Sequence, residues 1–316
     1  MPDEQRNKQI VPEDAWRLIL AVRQRLRGSG FPLDGLGLRG DPAGATGFVA
    51  ANEADALLAV NRDGTWTSII EPSQEVSQLL DLYLPVALGS ESQPSTLGHL
   101  GQSLDGRIAT EAGDSYYVTG EENILHLHRL RALSDAVIVG AGTVLHDDPR
   151  LTTRRAPGDN PVRVVIDTER RLEGHYKVFT DGEAPTRLVS RAGAGTRAGA
   201  ASDPLPEHVR VLEIEAPEGR IPPAAIVAAL RAEGLHSLFV EGGGVTVSRF
   251  LAAGVLDRLQ VAVAPLIIGS GRPAFTLPAV DSLAEARRPP CRRFEMGQDV
   301  LFDFDLRGPV PSPSSG

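Results

Sequence analysis

From residue 97 onward the chain alternates between short apolar runs and amphipathic stretches. The runs are 97–103, "AVIVG" (136–140), "VRVVID" (162–167), "TRLVS" (186–190), "VRVLEI" (209–214), "SLFV" (237–240) and "LQVAVAPLII" (259–268). Several are continuous and rich in valine and isoleucine, the pattern of strands covered on both faces. Between them, 120–133, 222–233 and 245–253 carry helical periodicity. "FEMGQDVLFDFDL" near the C-terminus alternates in part and predicts a closing hairpin. Alternating strands and helices predict an α/β fold, a mostly parallel sheet with flanking helices.

The first ninety residues differ. A helix is predicted from Pro12 to Arg27, carrying Trp16, Ile19, Leu20 and Val22, then a strand in "GTWTSII" (64–70) and a second helix in "PSQEVSQLLDLYLPVAL" (72–88). The polar "GSESQPSTLG" (89–98), with Pro94, reads as a linker. The expected organisation is a small N-terminal α+β domain over 1–93, a larger domain over 94–307 and a disordered tail over 308–316. Residues 193–207 read as a flexible loop.

Length and composition narrow the function. The chain has 316 residues, room for two domains of roughly 150 residues each. One cysteine, Cys291, allows no intrachain disulfide and no cysteine-rich metal site, and no metal is expected. A net charge of −9 argues against a nucleic-acid surface. It leaves room for a small anion held by a few arginines. No stretch approaches the roughly 20 apolar residues of a membrane span, and "MPDEQRNKQIVPEDAW" has no signal-peptide core. A cytoplasmic protein without membrane or nucleic-acid partners is expected.

Three stretches carry candidate chemistry. In "FVEGGGVTVSRF" an apolar run ends in Glu241 and three glycines before a helix. That is either a tight strand-to-helix turn or a backbone cradle for a phosphate at a helix N-terminus. Ahead of the helix at 120–133, Thr119 and Glu122 form a T-x-x-E capping box. Ile124 and Leu127 then define an apolar face on which Arg131 also falls. Arg131 there is a snorkelling side chain, a structural ion pair or a ligand for an anion. "GAGTVLHDDPRLTTR" (140–154) is a polar loop at a strand's carboxyl end, where α/β sheets bind ligands. It offers Thr143, Asp147, Asp148, Arg150 and Arg154, although the aspartates alternatively begin a turn before Pro149. His146 has no spaced metal partner and reads as a surface residue. In 101–120, Asp105-Gly106 marks a turn, and Tyr116 and Tyr117 either pack in the core or stack on a flat ligand.

"SLDGRIAT", "GDSYYVTG", "HRLRALSDAVIVGAGTVLHDDPRLT", "PVRVVID" and "FVEGGGVTVSRFLAAGVLDRL" occur in one order. With them, residues 96–306 closely resemble the pyrimidine-reductase domain of riboflavin biosynthesis, a dihydrofolate-reductase-like fold. The resemblance implies NADPH-dependent reduction of 5-amino-6-(5-phosphoribosylamino)uracil, with hydride delivered to C1′ and a ribityl chain as product, by a homodimer. It places Gly101, Tyr117, Thr143, Asp147, Thr168, Gly243, Gly244, Val245 and Thr246 on the cofactor side. On the side of the phosphorylated aminopyrimidine it places Ser115, Arg131, Leu151, Arg154 and Glu241, with Arg131 reaching toward the substrate phosphate. Glu241 and Asp147 are the catalytic candidates. Asp147 is a possible proton source, and water is the alternative. Arg170 or Arg171 is expected to face the 2′-phosphate of the cofactor.

The chain also departs from the family. Tyr117 stands where the bacterial bifunctional enzymes often have tryptophan. Their zinc deaminase needs H-x-E and P-C-x-x-C patterns, and residues 1–95 contain neither cysteine nor histidine. The N-terminal domain therefore has some other role. A related reductase of another pyrimidine or pterin-like substrate, or a non-catalytic nucleotide-binding protein, are the alternatives to the main reading.

Overall fold

The computed structural model describes residues 10–27, 36–40, 46–50, 56–61, 64–115, 118–195, 205–216 and 219–308. Tyr116, Tyr117, most of the 193–207 loop and the tail from 309 lie outside the described residues. The chain divides into two compact units, Met1–Pro94 and Ser95–Gly316.

The first unit runs α1 (Pro12–Arg27), β1 (Leu36–Gly40), β2 (Thr46–Ala50), β3 (Leu58–Val60), β4 (Trp66–Ser68) and α2 (Gln74–Ala87). Its four strands form an antiparallel sheet in the order β2-β1-β3-β4. Ser73 caps α2 by accepting the Val76 N–H. The two helices meet through Trp16 and Tyr83, packed edge to face at 5.4 Å. Sequence reading found one of these four strands. The others are only three to five residues long, and β1 and β2 are broken by glycine, which leaves little period-2 signal.

The second unit runs β5 (Ser95–Ser103), β6 (Arg107–Thr110), α3 (Glu121–Leu133), β7 (Ala136–Gly140), α4 (Ala141–Asp147), β8 (Val162–Ile166), α5 (Lys177–Thr180), β9 (Thr186–Arg191), β10 (Val209–Ile214), α6 (Pro223–Ala232), β11 (Ser237–Glu241), α7 (Gly244–Ala252), β12 (Arg258–Ala264), β13 (Gly271–Pro273), β14 (Cys291–Met296) and β15 (Asp299–Asp305). Nine strands form one sheet in the order β10-β9-β8-β7-β11-β5-β12-β15-β14. It is parallel from β10 to β12 and closes with the antiparallel β15–β14 hairpin. β6 and β13 pair separately.

Four expectations need correction. The linker is shorter, because Ser95–Gly98 already belong to β5, at the sheet's centre, where Thr96 and Leu97 are buried. The run at 259–268 stops pairing at Ala264, opposite the last residue of β5; Pro265 follows, which has no N–H for the ladder, and Ile267 is exposed. The stretch after Gly140 is a helix, α4, rather than a loop, so Thr143 and Asp147 stand on helical turns. The capping box does not form. Gly120 is the N-cap of α3 without a side-chain cap. Its N–H donates to Asp299 Oδ2 at 2.7 Å, and the Thr119 hydroxyl accepts from Asn123 Nδ2 instead.

The face of α3 is also not the one expected. Ile124 and Leu127 are half-buried, while Asn123, His126, His128, Leu130 and Arg131 are buried. Asn123 and His126 cover a row of polar side chains on the sheet. Glu241, His99, Gln260, Asp303 and Arg292 are register partners across β11, β5, β12, β15 and β14. Hydrogen bonds satisfy the buried members of this row. His99 Nε2 donates to Asn123 Oδ1 (3.0 Å), and His126 Nε2 to Gln260 Oε1 (2.9 Å); amide oxygens only accept, so both rings carry their proton on Nε2. Gln260 Nε2 donates to Asp303 Oδ1, and Arg258 and Arg292 donate to Asp303 Oδ2.

Candidate cofactor cleft and substrate corner

The three glycines after Glu241 each have a structural reason. Gly242 and Gly243 have φ +67° and +66°, a left-handed backbone that glycine adopts at little cost. A Cβ on Gly244 would lie 2.4 Å from the Ala274 carbonyl oxygen and 2.8 Å from that of Pro273. The turn is therefore tight and delivers β11 straight into α7, whose N-cap Gly243 has no side-chain cap. β7 feeds α4 in the same way through Gly140. The two helix starts interlock. A Cβ on Gly140 would fall 2.6 Å from Thr246 Oγ1, and one on Gly243 would fall 3.0 Å from Thr143 Oγ1. Uncapped N–H groups with the positive end of the α7 dipole suit a phosphate.

These helix starts open onto a cleft of about 730 Å³. Gly101, Thr143, Asp147, Thr168, Gly243, Gly244, Val245 and Thr246 all line it, and so does Ser115, expected on the substrate side. Tyr117 cannot be placed, as it lies outside the described residues. At one end Thr168, Glu169 and Arg171 face an apolar wall of Ile166, Ile221, Pro223 and Ile226. Arg171 lines the cleft and Arg170 does not. Arg170 is 9 % exposed, and its Nε and Nη2 have no hydrogen-bond partner among the described residues. Glu169 is held by Arg191 Nε at 2.8 and 3.0 Å. Asp147 closes α4 at the cleft rim. Partial burial raises its carboxyl above the usual range, outweighing His146, Arg272 and the Ser115 hydroxyl.

Arg131, Leu151, Arg154 and Glu241 do not line that cleft. They form a corner joined to it by the Glu241–Gly242 peptide. Arg131, 6 % exposed, grips Glu241 with two bonds: Nε to Oε2 at 2.8 Å and Nη2 to Oε1 at 2.5 Å. Its Nη1 donates to the Thr152 carbonyl at 3.0 Å. Of the three alternatives at this position, the structure has the ion pair. The expectation that Arg131 itself meets a phosphate is corrected, because its nitrogens face Glu241 and Thr152.

Arg154 is the cation left over. Among the described residues its guanidinium has no hydrogen-bond or ion-pair partner. Arg150 pairs with Glu183 and Arg155 with Glu121. Burial, then neighbouring Arg131, Arg150 and Arg155, hold the Arg154 guanidinium below the ordinary arginine range. An anion placed there relieves that crowding. Leu151, before it, is buried at φ +57°, unusual for a side chain of its kind.

Sequence reading missed His99, His126 and His128. Their signal is a polar ring recurring in apolar surroundings, "LGHLG" and "ILHLHRL". Among the described residues no group of acidic, histidine or cysteine side chains could hold a metal ion, and no helix is long and apolar enough to cross a membrane.

Comparison with known proteins places this architecture. The family described as the RibD C-terminal domain matches residues 97–297. A Methanothermobacter thermautotrophicus protein named 2,5-diamino-6-ribosylamino-4(3H)-pyrimidinone 5′-phosphate reductase is 36% identical over 228 residues, 68% of this chain and 100% of its own length. The riboflavin biosynthesis protein RibD of Bacillus amyloliquefaciens is 37% identical over 168 residues, 53% of this chain and 44% of its own. The crystal structure of a Thermotoga maritima diaminohydroxyphosphoribosylaminopyrimidine deaminase/5-amino-6-(5-phosphoribosylamino)uracil reductase superposes with a TM-score of 0.58 at 26% identity, covering 73% of this chain and 61% of that one. The chain thus spans the whole of the archaeal relative and less than half of the Bacillus one.

Proposed function

The chain belongs to the RibD C-terminal domain family, and from that premise we propose that it is an NADPH-dependent reductase that converts the ribosyl group of a phosphorylated 5-amino-6-ribosylaminopyrimidine to the ribityl form. One observation carries the reading. Two uncapped, glycine-lined helix starts open on one cleft, and the Glu241 corner with its uncompensated arginine directly adjoins it.

The residues present fit a dinucleotide, since one cleft is lined by the uncapped starts of α4 and α7, by the Thr143 and Thr246 hydroxyls and, at its far end, by Thr168 and Arg171. The N–H groups of Gly244 and Val245 and the hydroxyls of Thr143 and Thr246 would hold its diphosphate. Arg171 and Thr168 would flank the 2′-phosphate, with the charge of Glu169 taken up by Arg191. The nicotinamide, when bound, supplies the hydride.

The rest of the work falls to the chain's own side chains. Arg154 takes the substrate phosphate. Arg131 fixes the Glu241 carboxylate in one orientation, as a substrate-positioning acid requires. Asp147, whose carboxyl keeps its proton to higher pH than an ordinary aspartate, delivers a proton to the sugar oxygen freed on ring opening.

The relatives' names cite two bases that differ at C2, amino in one and oxo in the other. The test follows nicotinamide oxidation by the purified chain with each base and with NADPH or NADH. Turnover of 5-amino-6-(5-phosphoribosylamino)uracil is expected, with NADPH preferred. Turnover of the 2-amino compound alone would reassign the base. Tight NADPH binding without turnover of either would reduce the protein to a nucleotide binder.

The protein is expected to act as a cytoplasmic homodimer. Sedimentation of the purified chain checks it.

A further inference from the structure

We propose that His128 is a positioning residue for the substrate corner, holding the backbone of Arg154, and so its guanidinium, through an unprotonated Nδ1. This rests on the assignment of Arg154 to the substrate phosphate. The Arg154 N–H donates to His128 Nδ1 at 3.1 Å, so the ring proton sits on Nε2. His128 is 1 % exposed.

His128 and Arg131 lie three residues apart on α3 and so share a side of the helix. Both reach the same short segment: Arg131 Nη1 holds the Thr152 carbonyl, and His128 holds the Arg154 N–H. From the far side, Asn160 Oδ1 accepts the Thr153 N–H at 2.8 Å. The segment needs such pinning. It begins at Leu151, in the left-handed region, a conformation that persists only where the surroundings over-determine it. Arg154, with no partner for its guanidinium, cannot anchor itself.

The charges facing His128 explain why it must stay neutral. Arg131 on α3 and Arg154 and Arg155 on the loop face it, and Glu241 at the end of β11 is the acid among them. Protonation at Nδ1 would turn the acceptor into a donor aimed at an N–H. It would also add a cation beside the arginines. Burial and these arginines keep the imidazole down to about 4.

His126, two residues away, lies about 200° around the helix and serves the sheet row instead. The two buried histidines of α3 therefore have separate tasks, and of these two only His128 bonds to the substrate corner.

The test compares His128→Asn, whose amide oxygen can stand near the Nδ1 position, with His128→Leu, which fills space without an acceptor. Arg154→Gln is the control. Each is assayed against the phosphorylated substrate and the same substrate lacking its phosphate. His128→Leu is expected to raise KM for the phosphorylated substrate about tenfold with kcat little changed. It should leave NADPH affinity and the KM for the dephosphorylated substrate alone. His128→Asn should restore KM to within about threefold, and adding His128→Leu to Arg154→Gln should cost nothing more.

Equal losses on both substrates would mark His128 as a purely structural residue and overturn the inference. If Arg154→Gln leaves KM unchanged, the phosphate assignment itself fails. If Arg154→Gln raises KM and a folded His128→Leu does not, the assignment stands and the role of His128 falls. Should His128→Leu not fold, His128→Gln, whose amide reaches the Nε2 position, replaces it. A KM equal to that of His128→Asn would then overturn the proposal.

Discussion

Arg131 and Glu241 are 110 residues apart in the chain and bound by two charge-assisted hydrogen bonds, with side chains only 7% and 13% exposed. Removing one partner strands the other as a buried charge, which costs roughly 3–5 kcal/mol. Arg131→Met is therefore expected to lower stability by about that much and to lose activity with it. Arg131→Met combined with Glu241→Gln should recover most of the stability and none of the activity; urea unfolding of the three variants checks both. Nearby, Gly242 offers the cleanest probe of the glycine cradle. At Gly243 and Gly244 an added side chain meets the protein itself, so loss of cofactor binding there would say little. A Cβ on Gly242 meets nothing within 4 Å, although its φ of +67° imposes strain. Gly242→Ala should cost about 1 kcal/mol of stability. If a ligand's phosphates approach that backbone, it should also weaken NADPH binding about tenfold, or ~1.4 kcal/mol. Isothermal titration of the folded variant measures this directly, and an unchanged affinity would remove Gly242 from the cradle.

Helix α3 and the five strands beneath it form the polar layer of the second unit, and acid should find it first. Burial lowers the His99 imidazole from 6.5 to about 4, and burial together with His99 lowers His126 well below its ordinary value. In the unfolded chain these rings take protons near their ordinary pKa. Neutral burial thus contributes stability that is complete above pH 6.5 and is lost as pH falls toward 4. For His99 the loss is on the order of 3 kcal/mol. Urea midpoints are expected to fall steadily over that window and to flatten in His99→Gln. Elements with a strong local pattern were legible: β7 and β10 were read to the residue, and α6 and α7 to within one. The polar layer was not legible, because His99, Gln260 and Asp303 become neighbours only through a strand order that no local pattern encodes. For the same reason the sequence points to Arg131 rather than Arg154 as the phosphate ligand. Which of them is free depends on where Glu241 arrives. The capping box failed likewise, as Asp299 reaches Gly120 from a hairpin 179 residues away.

At the scale of the whole molecule, every residue assigned to the cofactor cleft and the substrate corner lies in the Ser95–Gly316 unit. A protein starting at Ser95 is expected to bind NADPH and to turn over substrate within a few-fold of the full chain. If it is folded by circular dichroism yet inactive, the first unit takes part in the reaction. The order of the nine-stranded sheet has a consequence for synthesis. β5 sits between β11 and β12, yet it is made first, and its neighbours begin only at Ser237 and Arg258. At ribosomal speeds of roughly 5–20 residues per second, β5 waits on the order of ten seconds with both edges unpaired. Such a strand is a hazard when apolar and β-branched. β5 reads "STLGHLGQS", with two glycines and no valine or isoleucine. The more adhesive "AVIVG" and "VRVVI" pair with each other as soon as both are made. Gly98, His99 and Gly101, the last of which lines the cleft, also make the nascent strand a poor template for other chains until its partners emerge.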